Sequence, residues 1–374
     1  MTSSLEVSHG PLTLPVFLPD ATHGVVRGLD VGDLRRCRIG AIQTNVFHLM
    51  QRPGSTTVRA LGGVHEMLGW NGPVITDSGG FQAYSLLREN PRYGSVSDRG
   101  LVVHPEGSRR KLLLTPEKCI QLQMAYGTDI AICLDDCTHP DDSASLQEQS
   151  VRRTIAWAQR CKAEFQKIVE CRPRVVEPRP LLFAVIQGGG SLRRRQECAE
   201  ALLGLGFDGF GFGGWPLGTD GRLLDDLLAR VRESVPPGIP LHALGIGHPE
   251  HIATCVRMGY GLLDSVLPTR DARHGRLYTW RVERDAPLNG DWFSYLYVQD
   301  ATHIKARGPV SSGCACPCCS FYSLGYLHHL YAIGDTLYQR LATMHNLHYI
   351  SDLMERLRGE SAMWPPVTSD PVRP

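Results

Sequence analysis

The sequence has 374 residues, with Lys+Arg 39 against Asp+Glu 38 and a formal charge of +1 when His is neutral. That balance excludes a globally basic nucleic-acid binder and an acidic tail. A hydrophobic share of 42% and a charged share of 21% supply a sizeable core and exclude a disordered or fibrous chain.

The first residues, MTSSLEVSHGPLTLPVF, carry no basic stretch leading into a long apolar run, and no later run reaches membrane-spanning length. A soluble, cytoplasmic chain with no membrane partner is expected. Strand-type apolar runs then follow in order: LPVFLPDA from 14, AIQTNV from 41, PVITDSG from 73, DIAICLDD from 129, LLFAVIQG from 181, GFGFGG from 209, PLHALGIG from 240 and LLDSVLPT from 262. Between most of them lie stretches with helical spacing. Residues 115–125 begin with Thr115 as N-cap and Pro116 at the first helical position, and 145–169 form a longer helix. Strand followed by helix, repeated, implies a parallel sheet. Eight such units predict an α/β chain built as a (β/α)8 TIM barrel rather than an open doubly wound sheet. The polar insert 88–110 reads as a loop or hairpin, and CRPRVVEPRP at 171–180 as a surface connection.

The expected division is a barrel over 1–285 that carries the active site, a zinc-binding segment with C-terminal helices over 286–360, and a disordered tail over 361–374. Cys37, Cys119, Cys133, Cys137, Cys161, Cys171, Cys198 and Cys255 are scattered, while four more cysteines crowd residues 314–319. Scatter plus one cluster fits reduced thiols and a metal rather than a disulfide framework.

The expected strands end in Asp77, Asp135, Gln187, Gly213 with Gly214, Gly245 and Asp264, on the rim where a barrel assembles its site. Each alone fits a turn; six strands ending alike point to chemistry. Asp77, Asp135 and Asp264 provide the nucleophile and proton carrier that cleavage of a glycosidic bond needs. Arg270, Arg273 and His274, just beyond Asp264, can neutralise phosphates, although a solvated basic loop fits the same run. In TDSGGFQ the glycines admit a flat ligand. Phe81 can stack on it while Asp77 and Gln82 or Gln187 bind its edge, and a Gly-rich turn with a core phenylalanine is the competing reading. In GCACPCCSF, Cys314, Cys316 and Cys319 form C-x-C-x2-C, with HNLH farther along. Three thiolates and one imidazole close a tetrahedral site, so the metal is a structural Zn2+. Cys318 competes with Cys319, which has the better spacing.

These segments resemble the tRNA-guanine transglycosylase family from about 16 to 358. VFLPDATHGVVRGL, TNVFHLMQRPG, GPVITDSGGFQ, LTPEKCIQLQ, LDDCTHP, VIQGG, FGGWPLG, LGIGHPEHI, DSVLPTRDARHG, CACPCC and HNLH occur in the family's order. The resemblance implies exchange of guanine in a tRNA anticodon for a free 7-deazaguanine base, preQ1 or preQ0, through a covalent Asp–ribose intermediate. By motif, Asp264 is the nucleophile and Asp77 the general acid/base. Asp135, Gln187 and the Gly214 backbone bind the edge of the base, and Phe81 and Leu244 cover its faces. Arg270 and Arg273 hold the anticodon loop. Cys314, Cys316, Cys319 and His345 bind zinc, and the active species is a homodimer.

This chain departs from the family at GGWPLGT, where bacterial members have GGLAVGE or GGLSVGE. Thr219 replaces the Glu that helps recognise the aminomethyl group of preQ1, and Leu217 replaces a Val. Discrimination between preQ1 and preQ0 should then be small or reversed, unless Trp215 and Pro216 turn Thr219 away from the pocket. Asp136 stands where Glu is usual, and Asp271, where Asn is usual, adds negative charge near the RNA loop. Thr219 and Asp271 invite a second reading, a transglycosylase acting on DNA. A non-catalytic partner subunit is a third, opposed by the presence of both catalytic carboxylates.

Overall fold

The apolar runs fold as their alternation demands. In the computed structural model, which describes residues 4–104, 111–171, 178–283 and 286–360, they form β1 (Val16–Pro19), β2 (Ile42–Asn45), β3 (Val74–Asp77), β4 (Ile130–Ile132), β5 (Leu181–Ile186), β6 (Gly209–Phe212), β7 (Leu241–Ala243) and β8 (Leu262–Ser265). All pair in parallel as one sheet, in the order β1-β8-β7-β6-β5-β4-β3-β2. A parallel bridge between Asp20 and Gln43, with Ala21 N–H donating to Gln43 O at 2.7 Å, joins its two ends. The expected (β/α)8 barrel is closed.

Strand side chains alternate between two environments. Val16, Leu18, Ala41, Ile75, Ile130, Ile132, Phe183, Val185 and Leu262 fill the barrel interior. Phe17, Ile42, Val74, Ala184, Phe212, Leu241 and Leu263 face the surrounding helices. Continuing the inward series past the carboxyl ends reaches Asp20, Asn45, Asp77, Gln187, Gly213, Leu244 and Asp264. The same periodicity that builds the core thus aims polar groups into the mouth. β6 offers only glycine inward. A Cβ at Gly209 would meet Phe183 at 2.5 Å, one at Gly211 would meet Leu244 at 3.0 Å, and one at Gly213 would meet Gln187 at 2.5 Å.

The opposite end is stoppered by the hairpin Ser4–Val7 and Gly10–Thr13, whose Leu5, Val7 and Leu12 join the interior cluster. The helix Pro116–Tyr126 starts as expected, with Thr115 Oγ1 accepting from Lys118 N–H at 3.2 Å. Ala144–Glu170 spans the expected long helix. In the insert 88–110, Gly94–Ser97 pairs with Gly100–Val103, which also pairs with Leu112–Leu114. Residues 105–110, the middle of the 171–180 connection and the expected tail 361–374 lie outside the described residues.

Beyond β8, Leu267–Arg273 leads into the antiparallel pair Arg276–Trp280 and Phe293–Tyr297, then Pro317–Phe321, Leu324–Ala332 and the long helix Thr336–Glu360. That last helix serves two cores. Leu347, Ile350 and Leu353 pack into the barrel cluster, while Leu341 and Ala342 belong to a separate one around Cys316 and Leu327. Arg358 Nε donates to Pro15 O at 3.1 Å, tying the helix back to the barrel. Among the described residues no helix is long and apolar enough to cross a membrane. The cysteines are all unpaired.

Candidate active site

The mouth gathers carboxyls that lack enough donors. Asp77, at the end of β3, accepts from Asn45 Nδ2 at 2.6 Å. Burial, reinforced by Asp135 and Asp264, pushes its carboxyl up to about 7. Asp135 accepts from Gln187 Nε2 at 2.6 Å and from Ser78 Oγ at 3.3 Å. Burial still raises it to about 6, with Asp136 adding to the rise. Asp264 accepts from Gly245 N–H at 3.2 Å. Asp20, which sequence reading passed over, is raised by burial and by the Asp264 charge, against its bonds from Thr22. An acid near neutrality beside one that stays accessible is the arrangement acid/base chemistry requires.

One wall of the mouth presents an unpaired acceptor. Gln187 is fully buried, and while its amide N–H binds Asp135, its Oε1 has no partner. Gly214 follows with φ +89, and a Cβ there would come within 3.4 Å of that oxygen. The positive φ suits glycine, which also keeps the oxygen approachable. Arg195, also missed, fixes this wall from behind. Its buried guanidinium donates to Gly189 O, Ile186 O and Gly213 O at 3.0, 3.2 and 3.1 Å and lies 4.0 Å from the Phe212 ring centroid. The signal was available: Arg195, Cys198, Ala199 and Leu202 form the buried stripe of one helix.

Leu244 leans over Gly211 on the other side. Phe81 stands at the rim, its ring 5.2 Å from Trp215 in an edge contact, and Trp215 in turn lies 5.9 Å from His139. Gln82 has its Oε1 buried without a partner. Asp136 is paired with Arg153 and is therefore occupied. In the helix after β8, Arg270 is exposed and Arg273 half-buried with Nη1 unpartnered. Arg273 is electrostatically coupled to Arg27 and Asp20, so it belongs to the charged rim of the mouth.

Two departures lose the meaning the sequence suggested. Thr219 sits on an exposed turn rather than in the buried part of the mouth. Leu217 bridges Leu223, Gly218 N–H donates to Arg222 O at 2.9 Å, and Thr219 is exposed at the tip of this tight turn. The residue facing Phe81 is Trp215. Asp271 does not charge the RNA side, because it is buried, accepts from Tyr278 OH at 3.0 Å and faces Arg276 at 3.4 Å. Both features that invite a DNA substrate therefore lose their footing.

The second centre lies in the segment that follows the barrel strands. Sγ of Cys314, Cys316 and Cys319 stand 3.8, 3.5 and 3.3 Å from His345 Nδ1. A tetrahedral ion with metal–sulfur and metal–nitrogen bonds of about 2.3 and 2.0 Å separates its ligands by about 3.5 Å, so the set fits a metal. His345 Nε2 is 2.8 Å from Tyr278 O, which fixes the tautomer that presents Nδ1 to the thiols. Cys319, not Cys318, joins the group.

A closed barrel with paired acids, an amide-lined edge and a three-cysteine, one-histidine corner defines an enzyme of glycosidic-bond chemistry. The family model described as queuine tRNA-ribosyltransferase matches residues 2–360. The chain is 36% identical to the queuine tRNA-ribosyltransferase of Desulforudis audaxviator, covering 95% of this chain and 88% of that protein. It is 35% identical to the one from Koribacter versatilis, over 97% and 92% of the two chains, and 33% identical to that of Novosphingobium aromaticivorans, over 96% and 91%. This chain belongs to the tRNA-guanine transglycosylase family.

Proposed function

We propose that this enzyme exchanges guanine in a tRNA anticodon for a 7-deazaguanine, preQ1 or preQ0, and that the exchange proceeds in two displacements. The observation that carries the reading is the convergence of Asp77, raised to about 7, with Asp264 at one mouth. Asp264 attacks ribose C1′ as the bond to guanine N9 breaks, stabilising the oxocarbenium-like charge and then capturing it. The electron pair leaves on N9, where Asp77 delivers its proton. Asp77, now ionised, removes the N9 proton of the incoming base, which attacks C1′ and returns the ester electrons to Asp264. The target guanine leaves its stack to enter the pocket. Phe81 and Leu244 cover its faces, while Asp135, Gln187 and the Gly214 backbone bind its edge, the free Gln187 Oε1 being a ready acceptor. Gln82 supplements that edge. Arg270 and Arg273 bind phosphates of the anticodon loop.

Cys314, Cys316, Cys319 and His345 hold a structural Zn2+ that staples together the segment 286–360, whose C-terminal helices pack on the barrel domain 1–285. Cys316→Ser should lose the metal and lower solubility together, measured by metal analysis at about one zinc per wild-type chain. A homodimer is supported by the surface of this segment. Phe321 is 78% exposed, Ile333 60% and Ile304 55%, and Tyr322, Tyr326 and His329 stack there in a row. Sedimentation of the full chain tests it, a monomeric active species being the contrary result. A cytoplasmic location accords with a tRNA substrate and unpaired cysteines.

Incubation with labelled guanine and either bulk tRNA or duplex DNA tests the substrate, with label expected in tRNA alone. Trapping with tRNA and a free deazapurine, followed by mass spectrometry, should find the ribose link on Asp264 and lose it in Asp264→Asn. A link to any other residue overturns the assignment.

A further inference from the structure

β7 places a histidine directly behind the nucleophile. His242 is fully buried, and its Nε2 lies 2.9 Å from Oδ1 of Asp264 on neighbouring β8. The approach is not aligned as a hydrogen bond, and neither ring nitrogen has a hydrogen-bond partner among the described residues. Burying an imidazole in that condition is costly. The ring is therefore placed for a contact that the resting geometry only approaches, and such contacts commonly tighten when substrate arrives. Gly245 N–H already donates to the same oxygen at 3.2 Å. Both donors address Oδ1, and neither is directed at Oδ2.

The charges around Asp264 give this contact a purpose. Asp20 and Asp77 each feel the Asp264 carboxylate. A donor on Oδ1 fixes the plane of the carboxylate among these neighbouring charges, so that one defined oxygen meets C1′.

Resting on the reading of Asp264 as nucleophile, we propose that His242 is its positioning residue, holding Oδ1 together with the Gly245 N–H so that Oδ2 attacks. In that step Oδ2–C1′ forms and C1′–N9 breaks, the electron pair leaves on N9, and Asp77 supplies the proton. His242 keeps its own proton throughout.

The test uses the full-length protein and unmodified tRNA, with three readouts: the single-turnover rate of the Asp264 adduct, the Kd for tRNA and the melting temperature. His242→Phe keeps the ring and removes the donor. It should slow adduct formation about 10²-fold while leaving the tRNA Kd within about twofold, as expected for misplacement of a reacting group. His242→Gln, whose Nε2 reaches the same place, should recover most of the rate; His242→Asn, whose amide falls short, should not. If the Phe variant fails to fold, the Gln and Asn pair decides, and equal rates in the two overturn the proposal. It is also overturned if His242→Phe forms the adduct on Asp264 at the wild-type rate, or if rate, tRNA affinity and melting temperature fall together in every variant. An adduct mapping elsewhere in the wild type overturns the nucleophile assignment itself, and this proposal with it.

Discussion

Asp129 and Asp77 sit at opposite ends of the same sheet, and burial acts on both, yet they titrate in opposite directions. Asp129, just before β4, accepts from His9 N–H and Nδ1 at 3.1 and 2.9 Å, and from Val74 N–H at 2.8 Å, with His65 Nε2 at 3.5 Å. Burial raises its carboxyl, but these partners outweigh the rise and hold it below the usual range. Asp77 has Asn45 and the backbone at Ser78 and Gly79, and it faces two further acids, so it is pushed up to about 7. Burial alone distinguishes nothing. The number of donors and the sign of the neighbours make one carboxylate a clamp between hairpin and barrel and leave the other an acid near neutrality.

The largest test of that contrast is Asp77→Asn. Base exchange should fall about 10³-fold for loss of the proposed general acid and base, while the fold should become more stable at alkaline pH. The sign follows from the raised carboxyl. Its contribution to stability is present below the unfolded value and is lost as pH rises through about 7. Calorimetry at pH 5 and pH 8 should show the wild type losing on the order of 1 kcal/mol or more relative to the variant. In wild-type single turnovers, adduct formation should decline above about pH 7 and incorporation of the free base below it, because the first needs the acid and the second its conjugate base.

Asp129→Asn breaks the other side of the contrast. Removing a carboxylate held by several donors should cost about 2–3 kcal/mol in denaturant unfolding at pH 7, with single-turnover exchange unchanged. Because the Asp129 carboxyl is lowered, its contribution is present above the unfolded value and disappears as pH falls through the folded one. The variant should therefore lose less stability than wild type on acidification below about pH 4.

The sequence carried one end of this comparison far better than the other. Strand-type runs located all eight barrel strands, and their polar ends located Asp77, Asp135, Gln187 and Asp264, because alternation and strand termini are local properties. The C-x-C-x2-C spacing likewise favoured Cys319 over Cys318. His242 and Arg195 stayed hidden within apolar patterns whose buried face only helix register or barrel parity reveals. Asp129 read as a strand-edge residue, since its partners His9 and His65 come from distant segments. Thr219 and Asp271 were placed by analogy with other chains, and side-chain direction in a loop depends on its turn hydrogen bonds, which motif matching does not supply.

A smaller effect sharpens the account of the mouth's rim. Arg273, half-buried with Nη1 unpartnered, belongs to neither carboxylate. Arg273→Ala should weaken tRNA binding about tenfold for every anticodon sequence alike and reduce the salt slope by about one counterion, without altering the pH at which adduct formation declines. A sequence-selective loss would assign it to base contacts instead.

The smallest effect belongs to a residue outside both ends. Thr219 is exposed on the turn closed by Gly218 N–H to Arg222 O and by the Leu217–Leu223 bridge. A glutamate there would be solvated, and an exposed ion pair is worth only about 0–1 kcal/mol. Thr219→Glu should therefore change the ratio of kcat/KM for preQ1 and preQ0 by no more than about fivefold, the factor about 1 kcal/mol allows. Trp215, on the same loop, meets Phe81 at the rim. Trp215→Leu combined with Thr219→Glu distinguishes the two causes. If the turn alone keeps residue 219 outside, the double variant behaves like Trp215→Leu. If the indole blocks the way, preQ1 use should rise about tenfold in the double variant only, as expected for one regained charge-assisted hydrogen bond of about 1.5 kcal/mol. A tenfold rise in Thr219→Glu alone would return the tip of this turn to the pocket.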